Sequence, residues 1–237
     1  MVPYTEFIKK ENPSILLIDS IPSNLSPVRT SFQNISPFQE EFDHSDNILM
    51  SLARSLEAKD IYTKEHSMRV SKLSADFALF LGLSHKVSED VRKAGIIHDI
   101  GKIFLDTSLL RKPGVLTEEE KRAIKSHVVL GEKICKPLVS MKRILPAIRS
   151  HHERWDGKGF PDRLQGEDIP FIARVLAIVD SFDAIVSERC YSGCKSARGA
   201  LETMKLEQYN GQWDPELLVY FLEMINSVED SIYNSNG

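Results

Sequence analysis

Five of the seven histidines in this 237-residue chain lie close in sequence to acidic or apolar residues in a way that favours metal binding. With two aspartates, the candidate ligands are His66, His98, Asp99, His127, His151, His152 and Asp180. Five imidazoles and two carboxylates provide about as many protein ligands as two transition-metal ions require. The pattern predicts a bound pair of metal ions, and such a pair is suited to the hydrolysis of a phosphate ester.

The apolar surroundings of these histidines argue against an ordinary surface role. His66 shares a helical stripe with Val70 and Phe77, and His127 shares a face with Leu130. Several buried imidazoles without partners would be unfavourable, whereas a neutral imidazole is a common metal ligand. We therefore expect the imidazoles to point into the protein and to meet there.

The acidic residues support the same interpretation. The segment from Phe171 to Val186 is apolar around almost its whole circumference, yet it carries Asp180 and Asp183 on one helical face. A buried carboxylate needs a cation or several donors. We expect Asp180 to be a ligand and Asp183 to act in catalysis by orienting a ligand or a water.

Two adjacent pairs indicate how two ions could be shared. Neighbouring residues on a helix point about 100° apart, so His98 with Asp99, and His151 with His152, can straddle two ions. An aspartate can also bridge two ions with its two oxygens. Mixed imidazole and carboxylate ligation suits iron, manganese or zinc, and we expect iron.

The elements that must position these residues are predicted to be helices, so the fold class is an all-α bundle. Apolar periodicity and capping patterns predict helices over 46–59, 63–81, from Ser88, from Thr117, 141–153, 171–187, 196–207 and 215–226. Residues 1–42 form a separate short segment, in which the pattern indicates a strand at 15–18 followed by a helix at 24–32. This segment resembles the first strand of bacterial receiver domains, and we interpret it as a truncated remnant. Residues 43–237 form the metal-dependent domain.

Composition restricts the partners. A net charge of -4 and a pI near 6.0 argue against binding DNA or RNA polymers. No apolar run approaches the roughly 20 residues of a membrane span. The three cysteines form no Cys-x-x-Cys pair, which favours reduced thiols in the cytoplasm.

Long ordered motifs resemble the HD-GYP family of bacterial cyclic di-GMP phosphodiesterases. The sequence reads HDIGK at 98–102 and HHERWDGKGFP at 151–161. Supporting matches are YT at 62–63, HSMRV at 66–70, KPG at 112–114 and DSFDA at 180–184. The resemblance covers about residues 42–226 and implies an all-helical HD-superfamily domain with a metal centre.

The resemblance also implies roles for individual residues. His66, His98, Asp99 and Asp180 would hold one ion, and Asp99 would bridge to a second ion held by His127, His151 and His152. In the family, a metal-bridging water or hydroxide attacks the phosphodiester phosphorus. The resemblance implies that Lys102 contacts the phosphate or its surroundings, and that Lys102, Arg189, Trp155 and Phe160 contact the substrate.

Three positions depart from the family pattern. Phe160 stands where the family has its defining tyrosine, so a hydroxyl is missing. Tyr62 stands where three-metal members have glutamate, which predicts two metals. Ser192 replaces a basic residue that would help to bind the dinucleotide. We therefore expect turnover to be weak.

Three functional hypotheses follow. The first is a metal-dependent cyclic di-GMP phosphodiesterase. The second is a degenerate member that binds a nucleotide or a signalling protein partner without turnover, as the changes at Phe160 and Ser192 suggest. The third is an HD-superfamily hydrolase or di-iron enzyme with another substrate.

Overall fold

The elements that carry the candidate ligands are all helical. The computed structural model describes residues 51–53, 66–188 and 197–235, and among these residues there is no strand, which confirms the predicted all-α class. The α-helices are α1 (His66–Phe80), α2 (His85–Ile97), α3 (Thr107–Leu110), α4 (Glu118–Lys125), α5 (His127–Cys135), α6 (Leu145–Ser150), α7 (Phe171–Glu188), α8 (Ala197–Glu207) and α9 (Pro215–Ser235). Short 3-10 segments lie at Ile100–Phe104, Val139–Met141, Gly166–Asp168 and Gln208–Asn210. Residues 51–53 are helical as well.

Helix caps explain most of the boundaries. Thr117 and Glu120 form the predicted capping box at the start of α4. The predicted start of helix α2 at Ser88 was wrong. Ser84 caps this helix by accepting a hydrogen bond from the backbone of Val87, and the helix begins at His85. Ser88 instead lies inside α2 and donates its hydroxyl to the carbonyl of Ala75.

The helix predicted over 141–153 is shorter than expected. The α-helix spans Leu145–Ser150 and follows the 3-10 segment Val139–Met141. Pro146 lies in its first turn, where a missing backbone N–H is tolerated, and this residue keeps the helix from extending toward Met141. His151, His152 and Glu153 therefore lie in the loop that follows α6 rather than within a helix.

Helix α7 is the central element of the described core. It packs against α1, α2, α6, α8 and α9. Its Val175, Leu176, Ile178 and Val179 are fully buried, which explains why the sequence is apolar around the whole helix. Phe221 of α9 makes edge-to-face contacts with Phe77 and Phe182, at 5.2 and 5.3 Å between ring centroids. Helix α7 thus brings Asp180 and Asp183 against the histidine-bearing helices.

One glycine allows the histidine-bearing segments to approach each other. Gly101 lies in the 3-10 segment after Asp99 and packs on α5. A Cβ atom at this position would overlap the carbonyl oxygen of His127 and lie 2.6 Å from the backbone nitrogen of Gly131. The glycine therefore permits a backbone contact that holds Asp99 next to His127.

Several predictions lie outside the described residues. They include the strand and helix of the N-terminal segment with its receiver-like character, and the interpretations of Tyr62, Arg189 and Ser192. The boundary predicted at residue 42 also stays a prediction. In the described part of the chain, no helix combines the length and the hydropathy needed to cross a membrane.

Candidate metal centre

The seven candidate ligands lie in two groups whose ligand atoms are mutually within 4.8 Å. One group consists of Asp99, His127, His151 and His152, and the other consists of His66, His98 and Asp180. Residues that are far apart in sequence, such as His66 and Asp180, are thus brought together by α1, α5, α7 and the loop after α6. Each group has a donor set that suits a divalent metal ion.

Three of the histidines have their tautomer fixed by the backbone. His98, His127 and His151 each place Nδ1 within 2.8, 2.7 and 2.8 Å of the carbonyl oxygen three residues earlier. A carbonyl can only accept a hydrogen bond, so Nδ1 must donate its proton there. In the neutral ring, Nε2 then carries the lone pair and is the atom available as a ligand.

Asp99 lies between the two groups. Its Oδ1 is 3.2 Å from Nε2 of His127 and 4.0 Å from Nε2 of His151, whereas its Oδ2 is 3.4 Å from Nε2 of His98. Lys102 donates a hydrogen bond to Oδ2 at 2.6 Å. The two oxygens of one carboxylate therefore face different groups, which is the arrangement needed to bridge two ions.

The electrostatics around Asp99 favour its ionised form. Burial alone would raise the pKa of Asp99, but the positive charge of Lys102 and the nearby rings of His98 and His127 hold it well below its usual range. Asp99 is therefore a carboxylate at neutral pH, as a metal ligand must be.

His66 has a carboxylate at each nitrogen. Its Nε2 is 3.2 Å from Oδ1 of Asp180, and its Nδ1 is 2.7 Å from Oδ2 of Asp183. Arg69 donates from Nε and from a terminal nitrogen to the two oxygens of Asp183, at 2.6 and 2.8 Å. Asp183 therefore orients the ring of His66 and is itself oriented by Arg69, which fits a positioning role.

A positive charge is favoured between His66 and Asp180. Burial lowers the pKa of His66, but the hydrogen bonds with Asp180 and Asp183 outweigh it and raise the pKa to about 10. The pKa of Asp180 is lowered because its contacts with His66 and the charge of His98 outweigh the effect of burial. The electrostatics that hold a proton at this position would equally favour a metal cation.

Burial and missing hydrogen bonds provide a test of whether metal ions fit. Nε2 of His98 and Oδ1 of Asp99 are buried and have no hydrogen-bond partner among the described residues. Burial lowers the pKa of His151 far below its ordinary value and that of His152 to about 4, so both rings are neutral at pH 7. Buried polar atoms of this kind normally have a partner, and a bound cation would supply one. The residues present therefore fit divalent metal ions.

The loop after α6 places Phe160 against the candidate ligand His152. Its ring stacks on that of His152, at 5.0 Å between centroids and 27° between planes. Gly159 allows this fold, because a Cβ there would overlap the backbone of Glu153 and Arg154. The buried carboxylate of Glu153 also holds the loop by accepting a hydrogen bond from the backbone of Asp162 at 2.7 Å.

The other predicted substrate contacts have different surroundings. The ring of Trp155 lies beside Arg174, 5.8 Å from its guanidinium carbon, and its backbone bonds to Gln212. These contacts show packing, so a substrate contact by Trp155 stays a prediction, as does that by Lys102. Arg189 lies outside the described residues.

The sequence interpretation missed two features of the site. Arg69 lies one helical turn after His66, and this spacing could have indicated that it shares the face of that ligand. Lys125 lies with its ammonium 5.1 Å from the ring centroid of Phe160. No spacing rule connects residues 125 and 160, so this contact could not be read from the sequence.

Comparison with known proteins gives concordant matches. A family model described as HD domain matches residues 50–217. The chain is 34% identical over 198 residues to a cyclic di-GMP phosphodiesterase of Thermotoga maritima, with 81% of this chain and 53% of the relative covered. It is 32% identical over 197 residues to the 3'3'-cGAMP-specific phosphodiesterase 2 of Vibrio cholerae, with 81% of this chain and 37% of the relative covered.

A solved structure matches the fold. The crystal structure of a cyclic GMP-AMP specific phosphodiesterase from V. cholerae aligns with a TM-score of 0.59 at 18% identity, over 76% of this chain and 48% of that chain. The chain thus spans about half or less of the length of these relatives.

Proposed function

The chain belongs to the HD domain family, and we propose that it is a metal-dependent phosphodiesterase of cyclic dinucleotides. The family membership and the named relatives confirm the HD-GYP resemblance of its motifs. The observation that carries the proposal is Asp99, whose two oxygens face two separate groups of metal-ligating residues. A metal pair with a shared carboxylate is a recurring arrangement for displacement at phosphorus.

The proposed metal content is two divalent ions. His66, His98, Asp99 and Asp180 would hold the first, and Asp99, His127, His151 and His152 would hold the second. When bound, these ions supply Lewis acidity toward phosphate oxygens and lower the pKa of water into the neutral range. Iron is the proposed metal, because mixed imidazole and carboxylate ligation suits it, with manganese or zinc as the alternatives.

The protein's own groups prepare the site for an anionic substrate. Lys102 holds Asp99 through the 2.6 Å hydrogen bond, and its ammonium is the group that we propose contacts a phosphate oxygen of the substrate. Asp183 and Arg69 fix the ring of His66. The burial of Asp99 and Asp183 lowers the local dielectric constant, which strengthens the interactions of both carboxylates.

The substrate proposal rests on the two named relatives. One acts on cyclic di-GMP and the other on 3'3'-cGAMP. We take cyclic di-GMP as the substrate, and 3'3'-cGAMP as the competitor that must be tested beside it. Both are small dianions with two phosphodiester bonds, so the metal site would treat them alike and contacts to the bases would distinguish them.

A second candidate function is nucleotide or partner binding without turnover. The observation that favours it is Phe160, which lies directly on the ligand His152 but has no hydroxyl to contact substrate or water. One lost hydrogen bond is worth about 0.5–1.5 kcal/mol, or roughly 2- to 13-fold in rate, which weakens catalysis without abolishing it.

One experiment separates the two functions. Purified protein is supplied with iron or manganese under anaerobic conditions and incubated with each cyclic dinucleotide, and products are separated by chromatography. A phosphodiesterase gives linear dinucleotide or GMP, and His98→Ala gives none. Binding of the cyclic dinucleotide without product, together with product formation by Phe160→Tyr, would establish the second function.

A further inference from the structure

Lys125 is the last residue of α4 and lies two residues before the candidate ligand His127. Its side chain is exposed, and its ammonium lies 5.1 Å from the centroid of the Phe160 ring. That ring in turn stacks on the candidate ligand His152. A lysine ammonium is therefore held one aromatic ring away from the proposed metal site.

The two lysines at this site differ in how their charge is used. The ammonium of Lys102 is paired with Asp99 at 2.6 Å. In the part of the chain whose side chains the structure describes, we find no carboxylate within ion-pair distance of Lys125, and its contact is with the face of Phe160. A cation over an aromatic face keeps its charge and its hydrogen-bond donors, so Lys125 can still bind an anion.

A cyclic dinucleotide presents an anion beyond the one that is cleaved. It has two phosphodiester groups, and only one can lie on the bridging carboxylate and its ligands during a given step. The second phosphate must then contact residues other than the candidate metal ligands. We propose that Lys125 binds this second, uncleaved phosphodiester and so selects cyclic dinucleotides over substrates with one phosphate, an inference that rests on the proposed function.

Phe160 is the residue that positions this lysine. Gly159 and the loop contacts of Glu153 fix the backbone around Phe160, and the stacking on His152 fixes its ring. The contact with the ring holds the ammonium of this flexible, exposed side chain beside Phe160. Phe160 would therefore contribute to substrate binding by positioning Lys125 through its ring, a role for which it needs no hydroxyl.

The test compares one variant on two substrates. Lys125→Gln removes the charge, Lys125→Arg keeps it, and Lys133→Gln removes an exposed lysine charge from the neighbouring helix α5 as the matched control. The substrates are cyclic di-GMP, with two phosphodiesters, and bis(p-nitrophenyl) phosphate, with one. A screened contact between an exposed cation and a phosphate is worth up to about 1 kcal/mol, which is about fivefold in KM.

The expected result is specific to one substrate. Lys125→Gln should raise KM for cyclic di-GMP about fivefold, leave kcat within about twofold and leave bis(p-nitrophenyl) phosphate hydrolysis unchanged. Lys125→Arg and Lys133→Gln should behave like the wild type. Unchanged KM in Lys125→Gln, or an equal loss on both substrates, would overturn the proposal while leaving the phosphodiesterase function intact.

A binding measurement tests the lysine contact separately if the protein is not a phosphodiesterase. If the wild-type protein hydrolyses neither substrate, the dissociation constant of cyclic di-GMP is measured by calorimetry on metal-loaded protein. Binding that weakens about fivefold in Lys125→Gln still supports the lysine contact. Equal binding by the two proteins, or no binding by either, overturns it.

Discussion

Replacing Asp183 with asparagine should weaken one of the two proposed metal sites and spare the other. Asp183 accepts two hydrogen bonds from Arg69, at 2.6 and 2.8 Å, and a third contact joins it to Nδ1 of His66 at 2.7 Å. Asparagine has one acceptor oxygen in place of two and no charge, so at least one of these hydrogen bonds is lost and the others lose the carboxylate charge. The ring of His66 is then held less firmly in the orientation that directs its Nε2 toward Asp180.

The magnitude follows from the number and kind of hydrogen bonds that the substitution removes. At least one charge-assisted hydrogen bond disappears, which is worth about 1.5–3 kcal/mol, and each 1.4 kcal/mol is about tenfold in affinity. This agrees with the roughly 10- to 100-fold losses typical when a carboxylate partner of a metal-bound histidine is removed. Only the site with His66, His98 and Asp180 should lose this affinity, because among the described residues Asp183 makes no hydrogen bond or ion pair with His127, His151 or His152.

The assay is a competition titration of metal-free protein with Mn²⁺ or Fe²⁺ against a chromophoric chelator, under anaerobic conditions. Wild-type protein should bind two ions, and Asp183→Asn should bind one with wild-type affinity and the other about 10- to 100-fold more weakly. Asp76→Asn is the control, because Asp76 pairs with the exposed Lys72 on the surface of α1. Wild-type affinity at both sites in Asp183→Asn would refute the positioning role. Equal weakening at both sites would show that the variant disturbs the fold instead.

Three further substitutions test the backbone contacts and the buried ion pair that support the fold. Gly101→Ala should reduce bound metal to less than one ion per chain, because its Cβ would overlap the carbonyl of His127. The control is Gly82→Ala, whose Cβ meets open space. It should lose only about 1–2 kcal/mol of stability and keep both ions. Metal analysis and urea unfolding of the two variants decide this, and full metal content in Gly101→Ala would contradict it. Asp214 caps α9 by accepting hydrogen bonds from the backbone N–H groups of Glu216 and Leu217, a role that asparagine keeps. Asp214→Asn breaks the buried ion pair with Arg174, at 2.9 Å, and should lower the free energy of unfolding by about 3–5 kcal/mol. A loss below about 1 kcal/mol in urea unfolding would show that the pair is unimportant for stability.

The sequence alone predicts those helices and caps whose residue pattern is periodic or lies within one short segment. Helix α7 was predicted over 171–187 and spans Phe171–Glu188, because its apolar residues and its carboxylates are visible in one segment. The capping box at Thr117 was equally visible within four residues. The start of α2 was missed because Ser84 and Ser88 are both plausible caps, and only the packing of Ser88 against Ala75 distinguishes them.

The parts of the site that escaped prediction depend on contacts between distant segments. The choice of Nε2 as the ligand atom follows from backbone carbonyls that lie near the rings only in the folded helices. In the sequence Lys125 does not differ from other charged surface residues. Only the folded loop brings the ring of Phe160 next to its ammonium. The spacing of Asp183 from Asp180 indicates an orienting role. The two hydrogen bonds that Asp183 accepts from Arg69 could not be predicted from that spacing.

Metal content and turnover, measured on one sample, show most directly whether this chain is a two-metal phosphodiesterase. Protein is prepared anaerobically and loaded with iron or manganese, and its metal content is measured beside its hydrolysis of cyclic di-GMP. Asp99→Asn is the comparison, because Asp99 faces both ligand groups. We expect about two ions per chain and hydrolysis in the wild type, and loss of hydrolysis with weaker binding of both ions in Asp99→Asn. A single ion per chain, or hydrolysis that persists in Asp99→Asn, would contradict this expectation.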